Sequence, residues 1–584
     1  MLSPRFRKLL DYLRPHWRSA ALGILALLIV NIVSVYIPLL IQDGLNELQA
    51  TFRMERLIYY STVVLGLASV MWVVRMVSRI QLFGVGRQVE YDLKQRIFNH
   101  LLTLEPGYFA VNTPGDLISR ATSDVDNIRR LLGFAVLSLV NLIFAYAFTL
   151  PAMFGISVPL TLAAIAVYPG ILVLVNLFSH RLRTQQLGVQ EETSGLSDLI
   201  QEDMSGMALI KIYAQEENER RAFRRLNREL LEANLHLSKT QNTLFPLLRG
   251  LASLSQLAIL ALGTGAIAAG TLQVGGFVAL LLFAQNLVFP TALLGFTITA
   301  YQRGEVSIDR LEAILSTEAK IQDPPQAIAL PRNQVKGWLM AQNLTFSYPN
   351  ADHPALDNLQ FTIQPGETVA IVGSIGSGKS TLANALTHLL EIEPGQLFLD
   401  GYDITQLRLS DLRGAIAYVP QESFLFSTTI KNNIRYGDPS SDQTDVELAA
   451  KQAQIHTEIL NFPQQYKTIV GERGITLSGG QRQRTALARA LLVDAPVLIL
   501  DDALSSVDNQ TATQILQNLS EGTQRKTVIF ISHQLSAAAT ADRILVLDQG
   551  RIVQAGTHAQ LFAQPGLYQT LWERHQLEQV QNLA

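Results

Sequence analysis

Six stretches of the chain carry no charged side chain, at 20–41, 57–74, 133–154, 158–178, 251–269 and 277–300. Each is close to the ~20 residues a helix needs to cross the hydrocarbon of a bilayer. Backbone groups in hydrocarbon must satisfy one another within the segment, so repeated spans of this kind commit the first half of the chain to a helical bundle. The links between spans divide by charge. Residues 155–157 and 270–276 are short links without lysine or arginine. The opposite links are long and basic. One carries Arg87, Lys94, Arg96, Arg120, Arg129 and Arg130; the other carries Arg181, Arg183, Lys211, Arg220, Arg221, Arg224, Arg225 and Arg228. The positive-inside rule places these basic links in the cytoplasm, and an even number of spans leaves both termini there.

Composition agrees with a membrane part: of 584 residues, 48% are hydrophobic and 16% charged, too long for one ordinary domain and too apolar for an average soluble one. A net charge of -3 argues against nucleic acid as a partner. The absence of cysteine excludes disulfides, thiolate metal sites and a cysteine nucleophile. No cleavable signal peptide is expected, because the N-terminus runs straight into a basic amphipathic stretch. There Arg5, Arg7, Lys8 and Arg14 are interleaved with Phe6, Leu9, Leu10, Leu13 and Trp17, and residues 1–18 read as a helix lying on the inner membrane surface.

The cytoplasmic links read as helical. Apolar positions recur at helical spacing over 89–104. In Asn112-Thr113-Pro114-Gly115-Asp116, Thr113 suits an N-cap and Pro114 the first helical position. A second reversal is expected at Tyr213-Ala214-Gln215-Glu216-Glu217, between amphipathic stretches. The spanning helices are therefore expected to project into the cytosol and double back. Arg75, Arg79 and Arg249 sit near the cytoplasmic ends of their spans and read as snorkelling to the interface, with a cavity for anionic groups as the alternative. Asn31, Asn141, Asn176, Gln256, Gln285 and Asn286 lie within spans, either lining a pathway or bonding helix to helix.

With the membrane part spanning 19–315, the proline-bearing segment 316–336 reads as a linker. From 337 to 584 strand and helix patterns alternate, as in an α/β domain with a mainly parallel sheet. Within it Gly373-Ser374-Ile375-Gly376-Ser377-Gly378-Lys379-Ser380-Thr381 fits the G-x-x-x-x-G-K-[ST] phosphate loop. An apolar strand over 368–372 precedes it, and a helix is expected over 382–390. A loop of this kind closes backbone N–H groups on phosphates, with Lys379 on the β/γ-phosphates of ATP and Ser380 placed to ligate Mg2+. A second buried strand, Val497-Leu498-Ile499-Leu500-Asp501, ends in a carboxylate suited to hold the metal through water. Between them Leu477-Ser478-Gly479-Gly480-Gln481 precedes a helix expected over 482–492, turning amides and the Ser478 hydroxyl toward an anion.

In this order, the motifs resemble those of the ABC transporter family, and specifically exporter-type half-transporters with the membrane domain first. The resemblance covers nearly the whole chain, and Leu477 to Gln481 is its most specific part. It implies two chains whose nucleotide domains close head to tail, each ATP lying between the phosphate loop of one and Ser478, Gly479, Gly480 and Gln481 of the other. It also implies adenine stacking by Tyr348, and Gln421 linking metal and attacking water to the membrane domain. Ser505-Ser506-Val507-Asp508 resembles a loop crossing the interface, and His533 a histidine on the γ-phosphate. Val470-Gly471-Glu472-Arg473-Gly474 resembles the loop that meets the coupling helices, here near Pro114 and Tyr213.

One position departs from the family pattern. After Asp501 the family usually has a glutamate that polarises the attacking water, and this chain has Asp502. Its carboxylate is one methylene shorter, and in-line attack depends on finer placement than that. The departure suits one half of a heterodimer, with a weak site of its own and an intact Leu477 to Gln481 completing the partner's; a slow homodimer is the alternative. The expected activity is ATP-driven export of an amphipathic small molecule, lipid or peptide across a bacterial cytoplasmic membrane. An ATP-gated channel is the reading from another class, whereas the six spans exclude a soluble ATPase acting on nucleic acid.

Overall fold

The computed structural model describes residues 4–349, 351–471, 474–507, 509–520 and 525–583. It divides into two compact units, Met1–Leu102 with Thr113–Thr317, and Thr103–Asn112 with Glu318–Ala584.

Among the described residues the first unit is built from six long helices: Arg7–Ala50, Met54–Leu101, Pro114–Ile156, Val158–Ser205, Glu216–Ala268 and Val274–Leu315. Each expected span falls in one of them, the fifth stopping one residue short at Ala268. At about 1.5 Å per residue, a helix of 48 residues outruns any bilayer, so the helices project well beyond the hydrocarbon as the basic links suggested. Thr113 caps the third helix, its side chain accepting from Asp116 N–H, with Pro114 leading. The second reversal falls at Ala214, with φ 49°. Each turn is preceded by a six-residue helix, Pro106–Val111 and Met207–Ile212, too short to leave a periodic trace in the sequence.

Small and polar residues set the close contacts. Ser78 Oγ donates to Gly23 O at 3.0 Å, and a Cβ on Gly23 would lie 2.7 Å from Leu82 Cγ, so the first two helices approach where only glycine fits. Asn31 Nδ2 donates to Asn141 Oδ1 at 3.1 Å, which makes this pair a helix-to-helix bond. The N-terminal segment differs from a helix lying freely on a membrane. It is helical over Pro4–Leu13, but Leu9 and Tyr12 are buried with Val85, Val89, Ile308 and Leu311. Lys8 Nζ and the Tyr12 hydroxyl both bond Glu312, at 2.8 and 2.6 Å.

The third long helix widens into π-helical turns at Arg120–Asp124 and Leu131–Ala135. Asp124 is buried there, accepting from Ser307 Oγ at 2.8 Å, with Arg310 Nη1 3.2 Å away. Arg310 also reaches Asp116 at 2.8 Å. Arg310→Ala is expected to destabilise this unit by about 1–3 kcal/mol, the cost of a buried charge losing its partner, reduced because Arg310 is partly exposed. Thermal unfolding in detergent measures it. Asp124→Asn added to Arg310→Ala should recover most of the loss, and no loss in Arg310→Ala would rule out the pair as a stabilising contact.

Among the described residues the second unit holds ten strands: β1 (Leu339–Phe346), β2 (Leu356–Ile363), β3 (Thr368–Gly373), β4 (Leu397–Leu399), β5 (Tyr402–Asp403), β6 (Ile416–Val419), β7 (Val497–Asp501), β8 (Thr527–Ile531), β9 (Arg543–Asp548) and β10 (Arg551–Gly556). The main sheet runs β10-β9-β3-β8-β7-β6, parallel except for the edge strand β10. A smaller antiparallel sheet runs β2-β1-β4-β5. Alternate residues of the central strands serve opposite cores: Ala370, Val372, Leu498 and Leu500 on one side, Val369, Ile371, Val497 and Ile499 on the other. A parallel strand buried on both faces therefore reads as a continuous apolar run.

The segment expected as a linker is laced onto this unit. Ile321, Leu330 and Val335 are buried, Ile328 N–H donates to Gln406 O at 2.8 Å, and Leu330 N–H donates to Asp411 Oδ2 at 3.1 Å. Its prolines suppress helical periodicity, but three apolar anchors suffice to dock extended chain.

Candidate functional site

Parallel strands deliver their C-terminal ends to one edge of a sheet, where ligands of open α/β folds bind. Here that edge gathers the phosphate loop after β3, Gln421 after β6, Asp501 and Asp502 at the end of β7, His533 after β8 and Asp548 at the end of β9. Two glycines of the loop are sterically required. Gly373 has φ 154° and a Cβ would meet Leu547 O at 2.0 Å; Gly378 has φ 96° and a Cβ would meet Ala355 O at 2.4 Å. Gly376 has φ 80° in open space.

The helix that follows is Lys379–Leu386, earlier at both ends than the expected 382–390. It begins directly at the left-handed Gly378, and His388, at φ 50°, stops it. No side chain caps its N-terminus, which leaves first-turn N–H groups of Lys379, Ser380 and Thr381 oriented toward an anion. Lys379 is buried; its Nζ donates to Ser374 O at 2.7 Å and Gly373 O at 3.1 Å, and lies 3.4 Å from Ser377 Oγ. Burial pushes the ammonium down while Asp501 and Asp502 pull it back up. Ser374 Oγ donates to Asp548 Oδ1 at 2.7 Å, bracing the loop against β9.

Ser380 Oγ donates to Asp501 Oδ1 at 3.0 Å, and the Tyr418 hydroxyl reaches Asp501 Oδ2 at 3.4 Å and Asn384 Oδ1 at 3.1 Å. Burial pushes the Asp501 carboxyl up, opposed by these two hydroxyls. A hydroxyl and a carboxylate in contact form a hard oxygen pair that fits Mg2+, an ion that keeps most of its shell from water and substrate phosphate. Among the described residues no cluster of three His, Cys, Asp or Glu side chains forms a metal cage.

Asp502 takes φ 49°, a left-handed conformation that aspartate tolerates better than most residues. Its N–H donates to Ile531 O at 3.0 Å, tying it to β8. Burial pushes its carboxyl up, while His533, nearby, and the Ser505 hydroxyl favour the charged form. Tyr348 is half exposed, edge-on to Phe346 at 5.0 Å, with its hydroxyl 3.3 Å from Thr381 Oγ1. Gln421 is exposed. Asp508, Glu472 and Arg473 lie outside the described residues.

Residues 478–481 form a separate feature. The helix is Gly479–Val493, starting three residues before the expected 482. Ser478 Oγ accepts from Gln481 N–H at 3.2 Å while Gln481 Oε1 accepts from Ser478 N–H at 3.0 Å, a capping box written in the motif itself. Among the described residues no hydrogen bond joins 478–481 to the phosphate loop; Gln481 Nε2 donates to Glu458 at 2.9 Å instead. The sequence reading missed Gln483. Buried on this helix, it donates to Ser505 Oγ at 2.9 Å and Asp502 O at 3.4 Å, and accepts from Ser506 N–H at 2.9 Å. It fastens the capped helix to the loop that carries Asp502. It also missed Asp548, whose place at the end of an apolar strand was the available signal.

The family models agree with this geometry. Residues 20–291 match the family model of the ABC transporter transmembrane region and residues 356–505 the ABC transporter family model. A multidrug resistance-like ATP-binding protein of Escherichia coli is 33% identical over 578 residues, 98% of this chain and 97% of that protein. An ATP-dependent lipid A-core flippase of Vibrio cholerae is 33% identical over 569 residues, 97% of each. Among solved structures, a bacterial Atm1-family ABC exporter with ATP bound superposes with a TM-score of 0.77 at 25% identity, covering 96% of this chain and 99% of that one. The chain belongs to the ABC transporter family. It is an integral multi-pass membrane protein whose α/β domain is an ATPase coupled to transport.

Proposed function

We propose that this chain is one half of a dimeric exporter for amphipathic or lipid-like compounds in a bacterial cytoplasmic membrane, paired with an unlike half-transporter. In this reading ATP binds between the phosphate loop of one chain and the capped helix of the other, with Tyr348 against adenine, Lys379 on the β/γ-phosphates and His533 and Asp502 beside the attacking water. Asp508 and Gln421 carry the family roles given above. Mg2+, held by Ser380, Asp501 and Gln421, would supply charge neutralisation at the β/γ-phosphates. The observation that carries the pairing is the contrast within one chain between the shortened carboxylate of Asp502 and the intact capping box of Ser478 and Gln481. The drug and lipid relatives support the cargo class.

A second reading, a slow homodimer, draws on the burial that pushes the Asp502 carboxyl up and makes it a better base. Reconstituted protein tests the exporter reading. Amphipathic compounds should stimulate ATP hydrolysis, and ATP should drive their accumulation in inverted vesicles. Ion flux far exceeding hydrolysis, without such accumulation, would establish a channel instead.

A further inference from the structure

The membrane unit carries an open cavity of about 1240 Å3 between its third, fourth, fifth and sixth long helices. A smaller one of about 340 Å3 shares Ser179, Arg183 and Thr299 with it. Arg75, Arg79 and Arg249, the arginines the sequence singled out, line neither. The larger cavity is nonetheless one-sided in charge: Arg129, Arg130, Arg183 and Arg303 line it, and no aspartate or glutamate does.

These four arginines are not equivalent. Arg130 lies 2.7 Å from Asp126, and Arg129 pairs with Asp126 and lies 3.4 Å from Glu90. Among the described residues Arg183 and Arg303 have no carboxylate within ion-pair distance. Ser179, which borders both cavities, has a buried Oγ without a hydrogen-bond partner. Opposite polarity is supplied by apolar walls, including Phe134, Leu182, Leu244 and Phe296. Two guanidinium forks without counter-ions, an unused hydroxyl and an apolar wall define the complement of one kind of molecule. A phosphate, sulfonate or carboxylate head accepts from guanidinium in two parallel bonds, and an alkyl or aromatic body leaves water against the phenylalanines and leucines.

We infer that this cavity selects amphiphiles with an anionic head, taken by Arg183 and Arg303, and an apolar body against Phe134 and Phe296. The inference rests on the transporter reading and adds the charge of the cargo to it. Cationic amphiphiles meet the unpaired charges of Arg183 and Arg303 at the same place and are disfavoured. Arg129 and Arg130, already neutralised in part by Asp126, shape the cavity more than they bind.

The assembled full-length protein, reconstituted in vesicles of zwitterionic lipid, tests this with three fluorescent dodecyl probes that differ only in a phosphate, phosphocholine or trimethylammonium head. The phosphate probe should bind at least about tenfold more tightly than the trimethylammonium probe, as expected for charge-assisted bonds. Arg183→Gln with Arg303→Gln should erase that preference, and Arg183→Lys with Arg303→Lys should restore part of it. A preference that survives the double glutamine variant, in protein with an unchanged melting temperature, overturns the inference, as does equal binding of the trimethylammonium probe to the unsubstituted protein. If the other probes accumulate with ATP and the phosphate probe shows no preference, the transporter reading stands and the anionic selectivity falls. If ATP moves none of the three, the transporter reading fails and takes this inference with it.

Discussion

Lys379→Ala abolishes nucleotide binding at the site built on this chain's phosphate loop: that is the expected result of equilibrium binding or photo-crosslinking with an ATP analogue. The lysine is the only charged side chain in the loop, and its ammonium is held by Gly373 O, Ser374 O and Ser377 Oγ. Each hydrogen bond from a charged donor is worth about 1.5–3 kcal/mol, so losing contacts to two phosphates weakens binding by roughly a hundredfold or more. Collapse of the loop is the competing explanation for such a loss. It is distinguished by the melting temperature: the variant loses the ammonium's bonds to Gly373 O and Ser374 O but keeps the two sterically required glycines, Gly373 and Gly378, and the Ser374 to Asp548 bond that brace the loop, so an unchanged melting temperature excludes collapse. In a heterodimer the partner's site retains its nucleotide, and stoichiometry falls by half. Crosslinking at the unsubstituted level to this chain would remove Lys379 from the site.

Much of this arrangement was legible because its residues act locally. Six charge-free stretches define helices whatever surrounds them, and the phosphate loop announces itself because Gly373 and Gly378 occupy backbone positions that no other residue fits. Thr113 and Pro114 wrote a helix start that the structure keeps. Elements defined by distant partners were not legible. The capping box of Ser478 and Gln481 is the local exception: its Ser-x-x-Gln spacing stood in the sequence, yet the helix starts three residues before the expected 482. Gln483 is an ordinary polar residue on a helix until the loop after β7 folds back to give it Ser505 and Ser506. The segment 316–336 has the composition of a free linker, and contacts with distant residues, among them the pairing of Ile328 with Leu407 and the bond of Leu330 N–H to Asp411, make it part of the sheet unit. The cavity arginines were hidden for the same reason. Arg183 and Arg303 lie 120 positions apart in sequence, and a count of basic residues assigned Arg183 to topology alone, where the structure also gives it a cavity to face.

Asp502→Asn and Ser478→Arg are expected to part company. If the chain pairs with an unlike partner, Asp502→Asn changes turnover little, because its own site hydrolyses poorly with a carboxylate one methylene too short. Ser478→Arg in the same chain stops most turnover, because it puts bulk and charge where the partner's γ-phosphate must sit. Asparagine is the clean substitution at 502, since it keeps the shape and accepts the left-handed backbone, φ 49°, as readily as aspartate. At 478 the arginine also removes the helix cap, a loss of about 1 kcal/mol. Ser478→Ala removes the cap and the hydroxyl without adding bulk or charge, and should leave more turnover than Ser478→Arg. In a homodimer the two substitutions converge. Each strikes both sites, and removing the only candidate base, worth about a hundredfold or more, silences the protein. The deciding measurement is ATP hydrolysis by the chain purified alone and by the chain co-purified with a partner. Robust hydrolysis by a self-assembled dimer, abolished by Asp502→Asn, would falsify the unlike-partner reading and make the burial-raised Asp502 carboxylate the working base. Negligible hydrolysis alone, with turnover in the pair that survives Asp502→Asn and dies with Ser478→Arg, would assign the two halves of this chain's nucleotide domain to different sites, Gln483 joining the loop that carries one to the helix that completes the other.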